Sequence, residues 1–104
     1  IYFIIQKLKK NKHRKISYSG GAIDLIIEHY FRNKAKGIYI DVGAYHPIMG
    51  NNTFKLFNKG WSGINIDLDF HTIDIFNNFR ANDENIIAAV SDKIGKKETL
   101  FSSK

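Results

Sequence analysis

The chain has 104 residues, 43% of them hydrophobic and 25% charged, and no cysteine, which leaves room for one small globular domain and excludes a disulfide scaffold or a cysteine-based metal site. The net charge of +6 is local: residues 1–15 hold Lys7, Lys9, Lys10, Lys12, Arg14 and Lys15 and no acid, whereas residues 16–104 hold ten basic and ten acidic residues. The body is therefore neutral, the basic face of a nucleic-acid binder is absent, and no nucleic-acid partner is expected.

Residues 1–15 read as a basic N-terminal arm, with Ile1, Ile4, Ile5 and Leu8 forming an apolar stripe at helical spacing. It is either a solvated, frayed terminus or an interfacial helix making weak contact with an anionic membrane surface. Residues 1–5 are too few to span a bilayer and precede the basic residues, unlike a signal peptide, so a cytoplasmic chain is expected. The absence of an initiating methionine suggests a longer reading frame.

Residues 16–104 read as one unit. Ile16–Gly21 is a linker, and a helix follows over roughly 22–33, with Ile23, Ile26, Ile27, Tyr30 and Phe31 on one face. Lys36-Gly37 leads into a strand over 38–42. Asn51 or Asn52 caps a second helix over 52–59, with Phe54 and Phe57 inward and Gly60 closing it. Trp61 packs at the corner before a second strand, 63–67. Asp69 caps a third helix over 70–80, with Phe70, Ile73, Phe76 and Phe79 on one face. After a polar turn at 81–85, a third strand spans 86–90 and a fourth, 97–102, follows a turn at 94–96. Strands alternating with short helices predict an α/β fold, a Rossmann-like parallel sheet with flanking helices. Only one mononucleotide-binding half of such a fold is present, so the domain is expected to be partial.

Asp41, Asp67 and Asp92 are expected at three successive strand ends, on one edge of the sheet. Clustered like charges are costly unless a ligand or donors offset them. A nucleoside suits them: Asp67 follows Gly43 by 24 positions, close to the spacing of the acid that takes ribose hydroxyls in dinucleotide folds. Yet no G-x-G-x-x-G and no G-x-x-x-x-G-K-[ST] is present, so a pyrophosphate lacks its usual grip. A sulfonium cofactor fits the carboxylates better, which favours S-adenosylmethionine over NAD.

The blocks Gly37-Ile-Tyr-Ile-Asp-Val-Gly-Ala-Tyr-His-Pro47, Asn52-Thr-Phe54, Gly60-Trp-Ser-Gly-Ile-Asn-Ile-Asp67 and Ala89-Val-Ser-Asp92 resemble the FkbM-type branch of the class I S-adenosylmethionine-dependent methyltransferases. The resemblance covers roughly residues 17–102. Tyr18–Ile27 resembles the segment before the first strand in that family, where the usual pattern is Gln-x-Gly-Glu-Asp; Gly20 and Ala22 depart from it. The resemblance implies the first βαβαβ half of a class I methyltransferase fold. It places Asp41, Gly43, Ala44 and Tyr45 in the first cofactor motif, Asp67 and Leu68 at the ribose, and Ser91 and Asp92 near the adenine. It implies transfer of a methyl group to an oxygen of a sugar, glycan or other small hydroxyl acceptor, with acceptor-binding and catalytic residues largely downstream.

Other readings stay open. His46 is a weak candidate for a catalytic base, although a loop histidine before proline is more often structural. Asp67-Leu68-Asp69 with His71 matches the D-x-D spacing of metal-dependent nucleotide-sugar transferases, but Asp69 as a helix cap is the simpler account and no metal is expected. The chain is otherwise a non-catalytic remnant or a half-domain that needs a partner. In either case the unpaired edge of its first strand favours self-association.

Overall fold

The computed structural model describes residues 15–92. Their order is α1 (Ile23–Tyr30), β1 (Ile38–Val42), α2 (Phe54–Asn58), β2 (Ser62–Asp67), α3 (Phe70–Phe79) and β3 (Glu84–Ile87), with a 3-10 turn at Gly20–Ala22 leading into α1. The strands form a parallel sheet in the order β1-β2-β3. This is the α/β arrangement expected, consistent with part of a Rossmann-like sheet. The arm before Lys15 and the expected strand over 97–102 lie outside the described residues. Among those described, no helix is long and apolar enough to cross a membrane.

Register decides which side chains share a face. Ile38, Ile40 and Val42 lie beside Ser62, Ile64 and Ile66, and Ile66 lies beside Ile86, so these residues share one face. Tyr39, Asp41, Gly63, Asn65 and Asn85 share the other. The crossovers through α2 and α3 run the same way across the sheet, and crossovers of one hand put both helices on one face. They cover the Tyr39–Asn65 face: Leu56 joins Tyr39 and Trp61 in the core, and Ile73 and Phe76 are buried. On the opposite face Ile38, Ile40 and Val42 are exposed, with no described helix over them.

Two glycines make the close packing possible. The Tyr39 ring lies over Gly63, where a Cβ would overlap both the ring and the Tyr39 carbonyl. The Trp61 ring lies over Gly37 in the same way, which seats Trp61 at the helix–strand corner as expected.

Several expectations need correction. The buried stripe of α3 runs Thr72, Ile73, Phe76 and then Arg80, so Phe70 and Phe79 are exposed. α1 is turned so that Ile27 packs against the core and Asp24 is buried, leaving Ile23, Ile26 and Tyr30 exposed. The cause is that both acids of α1 find partners inside. Asp24 accepts hydrogen bonds from Ser17 Oγ (2.6 Å), the Tyr18 amide (2.7 Å) and Ser19 Oγ (3.1 Å), and Glu28 pairs with Lys55 and Lys59. β3 starts at Glu84 and ends at Ile87, not at Val90. Its partner β2 ends at Asp67, which lies beside Ile87, so the chain beyond has no strand to pair with.

Candidate functional site

At the carboxyl ends of the strands lies an open cavity of about 370 Å³, lined by Val42 and Gly43, by Ile66, Asp67 and Leu68, and by Ala88–Val90. Its size lies within the roughly 300–1,000 Å³ of small-ligand sites. Each strand contributes one wall, and hydrogen bonds tie the walls together. The Gly43 and Ala44 amides both donate to the Ile66 carbonyl (2.8 and 3.1 Å), and the Ala88 amide donates to the Asp67 carbonyl (3.1 Å). Gly43 has φ +76 and nothing within 4 Å of where a Cβ would stand. The backbone there is open to a ligand, in a conformation that glycine adopts without strain.

Asp67 bridges the first two walls. Its Oδ2 accepts from the Tyr45 amide and its Oδ1 from the Asp69 amide, both at 3.0 Å. These bonds aim the carboxylate and leave each oxygen acceptor capacity for a further donor. Tyr45 adopts φ +65, rare for a bulky residue, and this turns its amide onto Asp67 while its ring stays exposed.

The expected site residues thus divide. Gly43, Asp67 and Leu68 line the cavity, and Tyr45 supports its rim. Ala44 is buried beneath, its carbonyl accepting from Asn51 Nδ2 (3.3 Å). Asp41 is not at the strand end but within β1, and strand alternation turns it to the helix-covered face, where its Oδ2 accepts from Asn51 Nδ2 (3.4 Å). Burial pushes the Asp41 carboxyl upward; the Arg80 charge and the Asn51 hydrogen bond oppose the shift, and the nearby Asp67 charge adds to it. Ser91 and Asp92 follow the Ala88–Val90 wall without lining the cavity. Since β3 stops at Ile87, Asp92 does not stand at a strand end, and Asp41, which pairs with Asn65, is not in register with Asp67.

No family model, curated protein or solved structure matches this chain. Its chemistry is therefore read from its own residues.

His46 holds the first loop. Its Nδ1 accepts from the Ile48 and Met49 amides, both at 3.0 Å, which puts the neutral ring's proton on Nε2. Burial lowers its pKa and favours that neutral form. Asp69 caps α3, accepting from the His71 amide at 3.0 Å. Among the described residues no group of three or more His, Cys, Asp or Glu side chains is placed to hold a metal.

A buried polar network beneath the loop was not foreseen from the sequence. Arg80 Nη2 donates to the Pro47 carbonyl (2.6 Å) and Asn51 Oδ1 (2.9 Å), and Nη1 donates to Thr53 Oγ1 (2.8 Å). Asp83 pairs with Arg80 at 3.8 Å and accepts from the Tyr39 hydroxyl (2.5 Å), the Asn65 amide group (3.0 Å) and the Gly63 amide (3.1 Å). Four aromatic rings surround the guanidinium, that of Phe57 lying 4.9 Å from its carbon. This network joins the end of α3 and the start of β3 to the loop over 43–53. The sequence signal was faint: an arginine continuing the apolar stripe of α3, three residues before an acid.

Proposed function

We propose that the chain carries the cofactor-binding half of an S-adenosylmethionine-dependent methyltransferase. The observation that carries this reading is the cavity in which Gly43 and Asp67 stand on neighbouring walls at the carboxyl edge of a parallel sheet, where such folds bind ligands. Asp67 would hold the ribose hydroxyls, the open backbone at Gly43 would admit the methionine portion, and Val42, Ile66 and Ala88–Val90 would pack on the base. When bound, the cofactor supplies an activated methyl group.

NAD fits less well. A pyrophosphate needs a helix N-terminus directly behind the glycine turn, but here residues 43–53 separate β1 from α2, and Tyr45 and Ile48 stand where the second and third glycines of G-x-G-x-x-G would follow Gly43. The resemblance to FkbM-type enzymes extends the proposal to O-methylation of a sugar or other small hydroxyl compound. The cysteine-free composition suits a reducing, cytoplasmic setting.

One observation favours a second reading, a half-domain that works only with a partner: Ile38, Ile40 and Val42 are exposed on the uncovered sheet face. Titration calorimetry of the chain against S-adenosylmethionine, S-adenosylhomocysteine, NAD and a UDP-sugar with manganese separates the readings. The proposal expects the first two to bind and Asp67→Ala to lose at least about tenfold in affinity, as for a paired hydrogen bond to a charged group. Binding unchanged in Asp67→Ala would remove the ribose assignment. Binding of none of the four would favour the partner-dependent half-domain.

A further inference from the structure

We infer that His46 is a positioning residue that couples the ligand cavity to pH: its protonation releases the turn over 47–50 and, with it, the Tyr45 amide that holds Asp67. The release of the turn stands by itself; its effect on affinity rests on the cofactor reading above.

The turn depends on one atom. His46 Nδ1 accepts from the Ile48 and Met49 amides, both at 3.0 Å, so the ring serves two backbone donors as an Asn or Asp side chain does in a local cap. The neutral ring carries its proton on Nε2, and a second proton has only Nδ1 to go to. Protonation there sets an N–H against two N–H donors, and both hydrogen bonds are lost together.

The cavity feels this through the adjacent residue. Tyr45 puts its amide on Asp67 Oδ2 (3.0 Å) from a backbone at φ +65, a conformation that a bulky residue keeps only where its surroundings hold it. Its ring lies 3.4 Å from where a Gly50 Cβ would stand, and Gly50 is the last residue of the turn. The anchors on either side are independent of the imidazole: Arg80 Nη2 on the Pro47 carbonyl (2.6 Å), the Gly50 amide on the Tyr18 carbonyl (2.8 Å) and Asn51 Nδ2 on the Ala44 carbonyl (3.3 Å). The change is therefore confined to the stretch over 45–50, and the sheet beneath stays folded.

The charged and titratable groups on the elements around the loop are Asp41 of β1, Asp67 of β2 with Asp69 after it, Arg80 at the end of α3 with Asp83 beside it, and Tyr18 before α1 with Lys55 of α2 over its ring. Burial lowers the His46 pKa from its ordinary 6.5. The neutral ring is thus favoured in the fold, and its contribution is full above the ordinary histidine range and is lost as pH falls through the folded-state value.

The test follows the His46 ring and the Tyr45, Ile48 and Met49 amides of the isotope-labelled chain by NMR, without ligand, from about pH 8 to about pH 5. The three amides should shift with the ring, at a midpoint below 6.5. Calorimetry with S-adenosylmethionine should give an affinity at about pH 5 that is weaker by about fivefold or more than at about pH 7.5, and by linkage the ligand should lower the His46 midpoint further. His46→Asn offers an amide oxygen to the same donors and does not titrate, so it should keep the affinity of about pH 7.5 and lose the step. His46→Leu should bind weakly at both. The inference is overturned by amides that ignore the titration of the ring, by a midpoint at or above 6.5, or by a step that persists in His46→Asn, which would belong to a carboxylate such as Asp41. Failure of S-adenosylmethionine to bind at either pH overturns the cofactor reading, and the amide shifts still decide whether the turn is released.

Discussion

Arg80→Met tests whether the buried polar network holds the loop over 43–53. The substitution keeps a long side chain among the aromatic rings and removes the charge and its donors. It strips the Pro47 carbonyl, Asn51 Oδ1 and Thr53 Oγ1 of bonds of 2.6, 2.9 and 2.8 Å, and leaves the buried Asp83 carboxylate without its cation. Three bonds from a charged group at about 1.5–3 kcal/mol each set an upper bound. They share one guanidinium and do not add, and removal of one member of a buried pair costs about 3–5 kcal/mol. A loss of about 4 kcal/mol is expected, comparable to the whole stability of a marginal domain, about 5 kcal/mol. Trp61 is the only tryptophan and is buried, so its fluorescence reports urea unfolding directly. With a slope of about 1–2 kcal/mol per molar, the midpoint should fall by about 2 M or more. Arg80→Lys keeps the charge without the fork and should fall between wild type and Arg80→Met. The double variant with Asp83→Leu should cost less than the two single losses combined, because no lone buried charge remains. A midpoint shift under about 0.5 M in Arg80→Met, or strict additivity in the cycle, would refute the network as the support of the loop.

Three further outcomes follow from the geometry. Gly63→Ala should cost about 1–3 kcal/mol in the same urea assay, because its Cβ would overlap the Tyr39 ring and carbonyl; an unchanged midpoint would mean that the ring moves freely. Burial raises the Asp41 pKa, so the neutral form is favoured in the fold. That contribution is fully present below the ordinary carboxylate range and is lost as pH rises through the folded-state value, so Asp41→Asn should flatten the fall in stability between acidic and neutral pH. Identical pH profiles would count against this. Light scattering of the wild type should show concentration-dependent association through the exposed β1 edge and its uncovered face, and Ile40→Lys should suppress it at little cost to the urea midpoint. A monodisperse wild-type monomer would contradict the prediction.

The parallel sheet was legible because period-2 and period-3.6 patterns alternate along the chain, and each strand ends near a turn residue. Position within an element was harder. Polar residues are read as solvent-facing, so Arg80 and Asp83 fell at the edge of an expected polar turn; the structure buries both because each supplies what the other needs. The same rule misjudged α1, where Asp24 and Glu28 turn inward to hydroxyls, an amide and lysines that single-strand patterns cannot place. Gly43 and Asp67 meet at one cavity because the parallel β1–β2 register pairs Val42 with Ile66 and so brings the two strand ends to one edge. Asp92 was expected there too, but its place depended on where β3 stops, and that depends on the length of β2.

The motif blocks divide by physical role. Trp61 lies on Gly37 and Tyr39 lies on Gly63, so the glycines of Gly37-Ile-Tyr and Trp-Ser-Gly63 are explained by close packing, with no ligand needed. His46 and Pro47 are explained by the loop, one accepting two amides and the other offering its carbonyl to Arg80. Gly43 and Asp67 are different. At Gly43 a Cβ would meet nothing, but its φ of +76 by itself favours glycine, whereas Asp67 is held by two amides with acceptor capacity to spare, so packing and backbone conformation do not account for a carboxylate facing the cavity. The functional weight of the resemblance therefore rests chiefly on Asp67. Gly63→Ala should damage the fold, Asp67→Ala should damage the proposed affinity for S-adenosylmethionine with little loss of fold, and a chain in which the two effects could not be separated would leave the motif as a packing signature only.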